Sequence, residues 1–252
     1  MSADPPTHRF DSVDALRGAS MLWMTAFHFC FDLQHFGYLR ADFHGDIFWT
    51  LQRTLIVSLF LFCAGLGQAI AVRQGLGWPR FWRRWAWVAG CALLVSAGSA
   101  LMFPESFIYF GVLHGLAVML IVARATVGWG RWLWLAGLLA VAMPLIAASA
   151  LSTPAGAGFE TFLNTRWLNW LGLITRKPIT EDYVPVLPWV GVLWWGVAAG
   201  QWLLQARPRW LAAPLPGALR LLAQLGRWSL PYYMLHQPVL IGGLLGWGWL
   251  RE

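Results

Sequence analysis

Long apolar runs separated by short polar breaks dominate this chain. Several reach the roughly 18–25 residues that cross a bilayer as a helix. The pattern predicts an all-α, polytopic transmembrane bundle of about seven spans, near 12–34, 47–71, 84–103, 106–124, 131–151, 185–205 and 228–250. Asp11-Ser12 offers the first helix cap, and Pro104-Glu105-Ser106 makes a tight hairpin between the third and fourth spans. Residues 152–184 form the one long loop, whose apolar piece from Trp167 to Ile174 suits the membrane interface. Pro214 to Leu225 reads as a short amphipathic helix on the other side. No repeat or low-complexity tract interrupts the pattern, so residues 1–252 read as a single integral-membrane domain.

The first apolar run is unusual for what it carries. Asp14, Arg17, His28 and Asp32 all fall within it. At about 100° per residue, Arg17 and His28 differ by roughly 20° and share one helix face. Asp14 lies three residues before Arg17, and Asp32 four after His28, so both stand close to that face. Ionisable groups at membrane depth are costly and normally face a bundle interior or a wet cavity.

Composition agrees with the membrane class: 58% of residues are hydrophobic and 12% charged, with 19 Trp. Soluble proteins average about 25% charged residues. The net charge of +7 has a topological explanation. With the N-terminus in the cytoplasm, the outer side receives only Arg40, Arg166, Arg176, Lys177 and Arg251. Every other basic residue except Arg53 falls inside, and the C-terminus faces out. Nucleic acid is not needed to account for the charge. Cys30, Cys63 and Cys91 lie within spans and form neither a metal motif nor a disulfide framework. The polar opening M-S-A-D-P-P-T-H-R does not read as a cleavable signal, so the first span is expected to be retained.

Each candidate for chemistry has a plainer reading beside it. His28 can exchange a proton near neutral pH, with Asp32 one turn later to fix its tautomer; alternatively it is a packed histidine bonded to a neighbouring helix. His44, in the short outer loop A-D-F-H-G-D, either reaches a site opening outward or is simply solvated. Arg53 lies about two turns into the second span and needs a partner, which is Asp32 or an anionic ligand. His114 stands mid-span between Gly111 and Gly115, which have the spacing of a close helix contact. His236 and Gln237 are mid-span in Y-Y-M-L-H-Q-P-V-L, where Pro238 frees a carbonyl and kinks the helix. The arginines of W-P-R-F-W-R-R-W, Trp78 to Trp85, suit the phosphates of a nucleotide-like cofactor or the ordinary positive-inside bias with interfacial tryptophans. No GxSxG elbow, P-loop or HExxH is present.

The segment R-F-D-S-V-D-A-L-R-G-A-S-M-L-W-M-T-A-F-H resembles the opening helix of bacterial proteins of the heparan-alpha-glucosaminide N-acetyltransferase catalytic-domain family. It is also similar to the wider membrane acyltransferase-3 superfamily, where an Arg, ten residues and a His mark the first helix; Arg17 and His28 keep that spacing. His44 occupies a position similar to the catalytic histidine of the lysosomal family member, just before a helix ending here in F-C-A-G, Phe62 to Gly65. G-V-L-H-G-L-A, L-P-W-V-G-V-L and G-R-W-S-L-P-Y-Y-M-L-H-Q-P-V-L resemble later family segments, so the likeness covers nearly the whole chain.

The resemblance implies a bacterial inner-membrane acyltransferase. It would move an acetyl or other acyl group from cytoplasmic acyl-CoA to an amine or hydroxyl of an envelope sugar or glycan. His28, His44 and Asp32 are then the expected catalytic residues. Arg17, Arg53, His114, His236 and Gln237 are expected to bind the donor or line its path. No metal is expected, and a homodimer is compatible with the reduced number of spans. Two other classes fit the buried polar groups: a proton-coupled transporter or channel, and a haem-bearing electron carrier with His28, His114 and His236 as ligands.

Overall fold

The computed structural model describes residues 9–250. Among these all the regular structure is helical, and the only β-type pairing is an isolated bridge between Phe110 and Tyr183. Ten α-helices follow in order: α1 Asp11–His35, α2 Ile47–Arg73, α3 Trp78–Met102, α4 Val112–Thr126, α5 Trp132–Leu151, α6 Ala157–Leu163, α7 Val186–Ala206, α8 Pro208–Ala212, α9 Gly217–Arg227 and α10 Ser229–Trp249. Five of these segments are long and apolar enough to cross a membrane: α2, α3, α4 with the short 3-10 turn after it, α5 and α7. The segment before Arg9, and Arg251, both used in the orientation expectation, lie outside the described residues.

The chain divides into two compact units. One takes the described residues up to Phe60 and those from Arg207 onward; the other is Leu61–Ala206.

In the first unit α9 crosses the start of α1 with almost no separation. A Cβ on Gly18 would collide with the Leu222 carbonyl, and one on Gly226 with that of Asp14. Small residues at both faces are what let two helix backbones meet. Further along α1, Met21, Met24 and Phe27 form an apolar core with Phe43 and Ile56. The Phe27 ring stands edge-on to Phe43 at 5.5 Å and to Trp49 at 5.9 Å. Phe43 thereby anchors the loop after α1 in the core. The helix begins at Asp11 without a side-chain cap, so the expected Asp11-Ser12 cap does not form. Ser12 Oγ instead donates to the Leu211 carbonyl at 3.0 Å, and Asp11 accepts from Arg227 at 2.6 Å. Acidic Asp11 and Asp14 still favour the positive end of the helix.

In the second unit α7 packs on α5 and on the second half of α2. Gly65 and Gly196 leave no room for a Cβ against the Leu193 and Phe62 carbonyls. Gly111 and Gly115 also mark a close approach, but an extended segment makes it, not a second helix. Asp182 crowds Gly111, and the Val184 carbonyl rests on Gly115. This segment delays the start of α4 to Val112, six residues beyond the expected span. α3 starts earlier than expected, at Trp78, because Pro79 is tolerated in the first turn of a helix. Within the long loop lie α6 and 3-10 turns at Pro154–Gly156 and Asn169–Leu171.

Candidate functional site

Three hydrogen bonds join α1 to α10 in register. Thr25 Oγ1 meets Tyr232 Oη at 2.6 Å, His28 Nδ1 meets His236 Nε2 at 2.8 Å, and Gln237 Nε2 donates to Asp32 Oδ1 at 2.7 Å. Positions 25, 28 and 32 fall on one face of α1, at the i, i+3, i+7 spacing. Their partners rise in the same order, so the two helices run parallel. Pro238 lies inside α10 without ending it.

The proton positions follow from groups that can play only one role. His236 Nδ1 lies 2.6 Å from the Tyr233 carbonyl, which only accepts, so Nδ1 carries the hydrogen. In the neutral ring Nε2 is then an acceptor, and His28 Nδ1 must donate to it. His28 therefore keeps its lone pair on Nε2, which no hydrogen bond engages among the described residues. The same reasoning at Thr25, whose hydroxyl donates to the Met21 carbonyl at 2.9 Å, makes Tyr232 the donor to Thr25.

Around this ring the site is rich in acceptors. Asp32 is 3% exposed, and among the described residues its Oδ2 has no hydrogen-bond partner; neither has Gln237 Oε1. His28 Nε2, one helix turn away on α1, is a third acceptor short of a donor. A ligand carrying N–H or O–H groups is the chemical complement. Both nitrogens of His236 are engaged, which leaves it no lone pair for an iron ligand. Among the described residues no cluster of His, Cys, Asp and Glu is disposed to hold a metal.

The other candidates take different places. Asp32 bonds Gln237, and it is His236 that holds the His28 ring. Arg17 donates to Asp14 at 2.8 Å, and Arg227 also approaches Asp14, at 3.7 Å. Arg53 sits half-buried near the start of α2 and makes no ion pair among the described residues. His44 is exposed; its ring stands edge-on to Phe31, with centroids 6.4 Å apart, one turn beyond His28. Asp42 accepts from the backbone N–H groups of His44 and Gly45, and these bonds hold its carboxyl below the usual range.

His114 belongs to the second unit, with both ring nitrogens in use. Ser96 Oγ spends its hydrogen on the Ile108 carbonyl at 2.6 Å and accepts from His114 Nε2 at 3.0 Å. His114 Nδ1 accepts from the Gly111 N–H at 3.3 Å. This histidine joins α3 to the start of α4. One polar cluster had no sequence signal: buried Asn169 donates to Tyr109 Oη at 2.7 Å, and Tyr183 donates to the Asn169 carbonyl at 2.6 Å. Burial pushes both phenols up in pKa.

No curated protein and no solved structure matches this chain. A family model does. The model described as heparan-alpha-glucosaminide N-acetyltransferase, catalytic, matches residues 9–238, from just before α1 to Pro238 in α10. The match takes in His28, Asp32, His236 and Gln237, and the chain belongs to that family.

Proposed function

We propose that this protein is an integral-membrane acyltransferase, moving an acetyl or other acyl group from acyl-CoA on the cytoplasmic side of a bacterial inner membrane to an amine or hydroxyl of an envelope sugar or glycan. The family match supports the reaction type. The observation that carries the site is the lone pair that the His236 bond leaves on His28 Nε2, one helix turn from Asp32, whose Oδ2, like Gln237 Oε1, has no hydrogen-bond partner among the described residues. Acyl transfer needs a base for the proton of the attacking amine or hydroxyl. His28 Nε2 takes that proton as the nitrogen or oxygen bonds to the acyl carbon, and returns it to the departing thiolate. Asp32 and Gln237 hold the remaining N–H or O–H groups of the acceptor. His44, over the same turn of α1, lies at the mouth of the site and assists proton transfer. Arg53, with no ion-pair partner among the described residues, and Arg17, toward the other end of α1, attract the anionic donor. Arg17 and His28 are about 16 Å apart along the helix, a length a pantetheine arm spans.

The parallel pairing of α1 with α10 supports the seven-span reading. First and seventh spans of a continuous serpentine cross in the same direction. The family match extends through both compact units, which supports one acyltransferase domain. The donor and acceptor are the only reaction partners required, and a metal is not.

The test is transfer of label from acetyl-CoA by the purified protein to a panel of amino sugars and sugar alcohols. His28→Ala is expected to lower the rate by about 10²–10⁴-fold, the usual range for a general base. A folded His28→Ala protein with the wild-type rate would refute the assignment.

A further inference from the structure

Two neighbouring donors in the second unit have no part in that reaction. Arg166 follows α6, and its Cζ lies 4.6 Å from the ring centroids of both Phe107 and Tyr109. Such contacts hold a guanidinium by its face and leave the N–H groups at its edge for other partners. Arg166 is exposed, and among the described residues it makes no ion pair and no side-chain hydrogen bond. The rings beneath it are fixed by the segment before α7. Thr180 Oγ1 donates to the Phe107 carbonyl at 2.9 Å, the Glu181 N–H donates to the Ser106 carbonyl at 2.8 Å, and Phe110 bridges to Tyr183. The two acids of that segment are engaged elsewhere, Glu181 accepting from Ser106 Oγ and Asp182 from the Val112 N–H. Asn169, 3% exposed, orients the Tyr109 hydroxyl by donating to it from Nδ2 at 2.7 Å. An amide nitrogen only donates, so Tyr109 Oη accepts there and keeps its own hydrogen. No acceptor among the described residues takes that hydrogen, whereas Tyr183 spends its own on the Asn169 carbonyl.

One guanidinium fork and one phenolic O–H, both short of acceptors, define what fits. Their complement is an oxyanion, because the fork takes two oxygens side by side and carries the matching charge. A single positive charge calls for a single negative one. A carboxylate and a phosphodiester both meet these terms. A phosphate monoester does not, since it carries about −1.5 to −2 at pH 7 and would bring charge that one arginine leaves uncompensated. We propose that Arg166 and Tyr109 bind a singly charged oxyanion, the carboxylate of a soluble acid or the phosphodiester of a lipid headgroup, with the guanidinium fork on two of its oxygens and Tyr109 Oη donating to one of them. Phe107 and Asn169 are positioning residues for this pair, the first under the guanidinium and the second behind the hydroxyl.

The test has two arms, both on the full chain. The soluble arm titrates the purified protein in detergent with benzoate, with its neutral analogue benzamide and with inorganic phosphate, and reads binding by calorimetry. The lipid arm measures phosphatidylglycerol retained from mixed phosphatidylcholine nanodiscs by native mass spectrometry. Arg166→Gln should weaken binding in the responding arm about tenfold or more, as loss of charge-assisted hydrogen bonds does. Tyr109→Phe should weaken it by a smaller factor, about 2–10-fold, as loss of one neutral donor does. Arg166 is exposed, so its replacement tests the site without emptying a core position. Benzoate binding that depends on Arg166 supports a soluble acid, and phosphatidylglycerol retention that depends on it supports a headgroup. Binding unchanged by Arg166→Gln in both arms overturns the proposal. Equal binding of benzoate and benzamide without a lipid response overturns it too, and phosphate bound more tightly than benzoate overturns the single charge.

Discussion

His28 and His236 share one hydrogen bond of 2.8 Å, and its direction is set from the far side, by the Tyr233 carbonyl. The proton on His236 Nδ1 makes Nε2 an acceptor, and that makes the outward nitrogen of His28 the basic one. His236 is thus a positioning residue for His28. His236→Ala should keep the fold and lower acyl transfer by about 10–100-fold, part of the usual contribution of a general base. His236→Gln, whose side-chain oxygen can also accept from His28, should recover part of the loss. Equal rates for both variants and wild type would remove His236 from the mechanism.

Asp32 and Gln237 form a second link between the same helices. Asp32→Leu strands the Gln237 amide and should cost about 1–3 kcal/mol of stability, whereas Asp32→Asn keeps the acceptor and costs less. Thermal unfolding of both variants measures the difference. If Asp32→Asn keeps wild-type stability but raises the KM for the sugar acceptor, the carboxylate serves the substrate as well as the fold.

Asp14 is 5% exposed and draws Arg17, Arg227 and, at 3.9 Å, Arg9. Its removal leaves converging positive charge with no counter-ion. Asp14→Ala should destabilise the protein by about 3 kcal/mol. Arg17→Ala should cost only about 1 kcal/mol, because the other arginines keep Asp14 paired. Chemical denaturation in mild detergent separates the two, and a larger loss at Arg17 than at Asp14 would contradict this account.

Gly226 lies against the Asp14 backbone where no Cβ fits. Gly226→Ala forces α9 away from α1 and should cost about 1–3 kcal/mol, as overpacking does. A melting temperature unchanged from wild type would show that the two helices separate freely.

The loop carrying His44 has its own pH dependence. The folded pKa of Asp42 lies below the ordinary value of 3.8, because backbone N–H groups of Gly45 and His44 favour the carboxylate. The stabilisation is complete above the ordinary value and is lost as pH falls through the lowered one. Amide exchange at His44 and Gly45 should stay slow at pH 5 and quicken only below the ordinary value of 3.8. Asp42→Ala should show fast exchange at both extremes.

Apolar run length made the long helices legible, and the pattern around Leu219 to Leu225 showed α9 as amphipathic. The polar face of α1 was legible because helical spacing is a local property. Its partners were not. His236 stands 208 positions from His28, and no periodicity encodes that pairing. Asp32 was expected to orient His28 because it lies one turn away, yet the nearer acceptor for the ring came from another helix. The start of α4 was misplaced for a similar reason. Residues 106–111 are apolar enough for a span, but Phe110 bridges to Tyr183 and draws the backbone out of helix. Asn169 gave no signal at all, since a buried amide inside an irregular loop is visible only once its two tyrosines are brought to it.

Asp182 accepts the Val112 N–H at 2.7 Å, satisfying the first turn of α4 from 70 positions downstream. Translation delivers these two groups in that order. While the ribosome is still making α5 and α6, the beginning of α4 has no permanent partner for its first amide. The Val112 amide gains this partner only when residues 182–184 are made and lie down on Gly111 and Gly115. A nascent chain arrested before residue 182 would hold the start of α4 by His114 and Ser96 alone, and release of a few more residues would add the carboxylate.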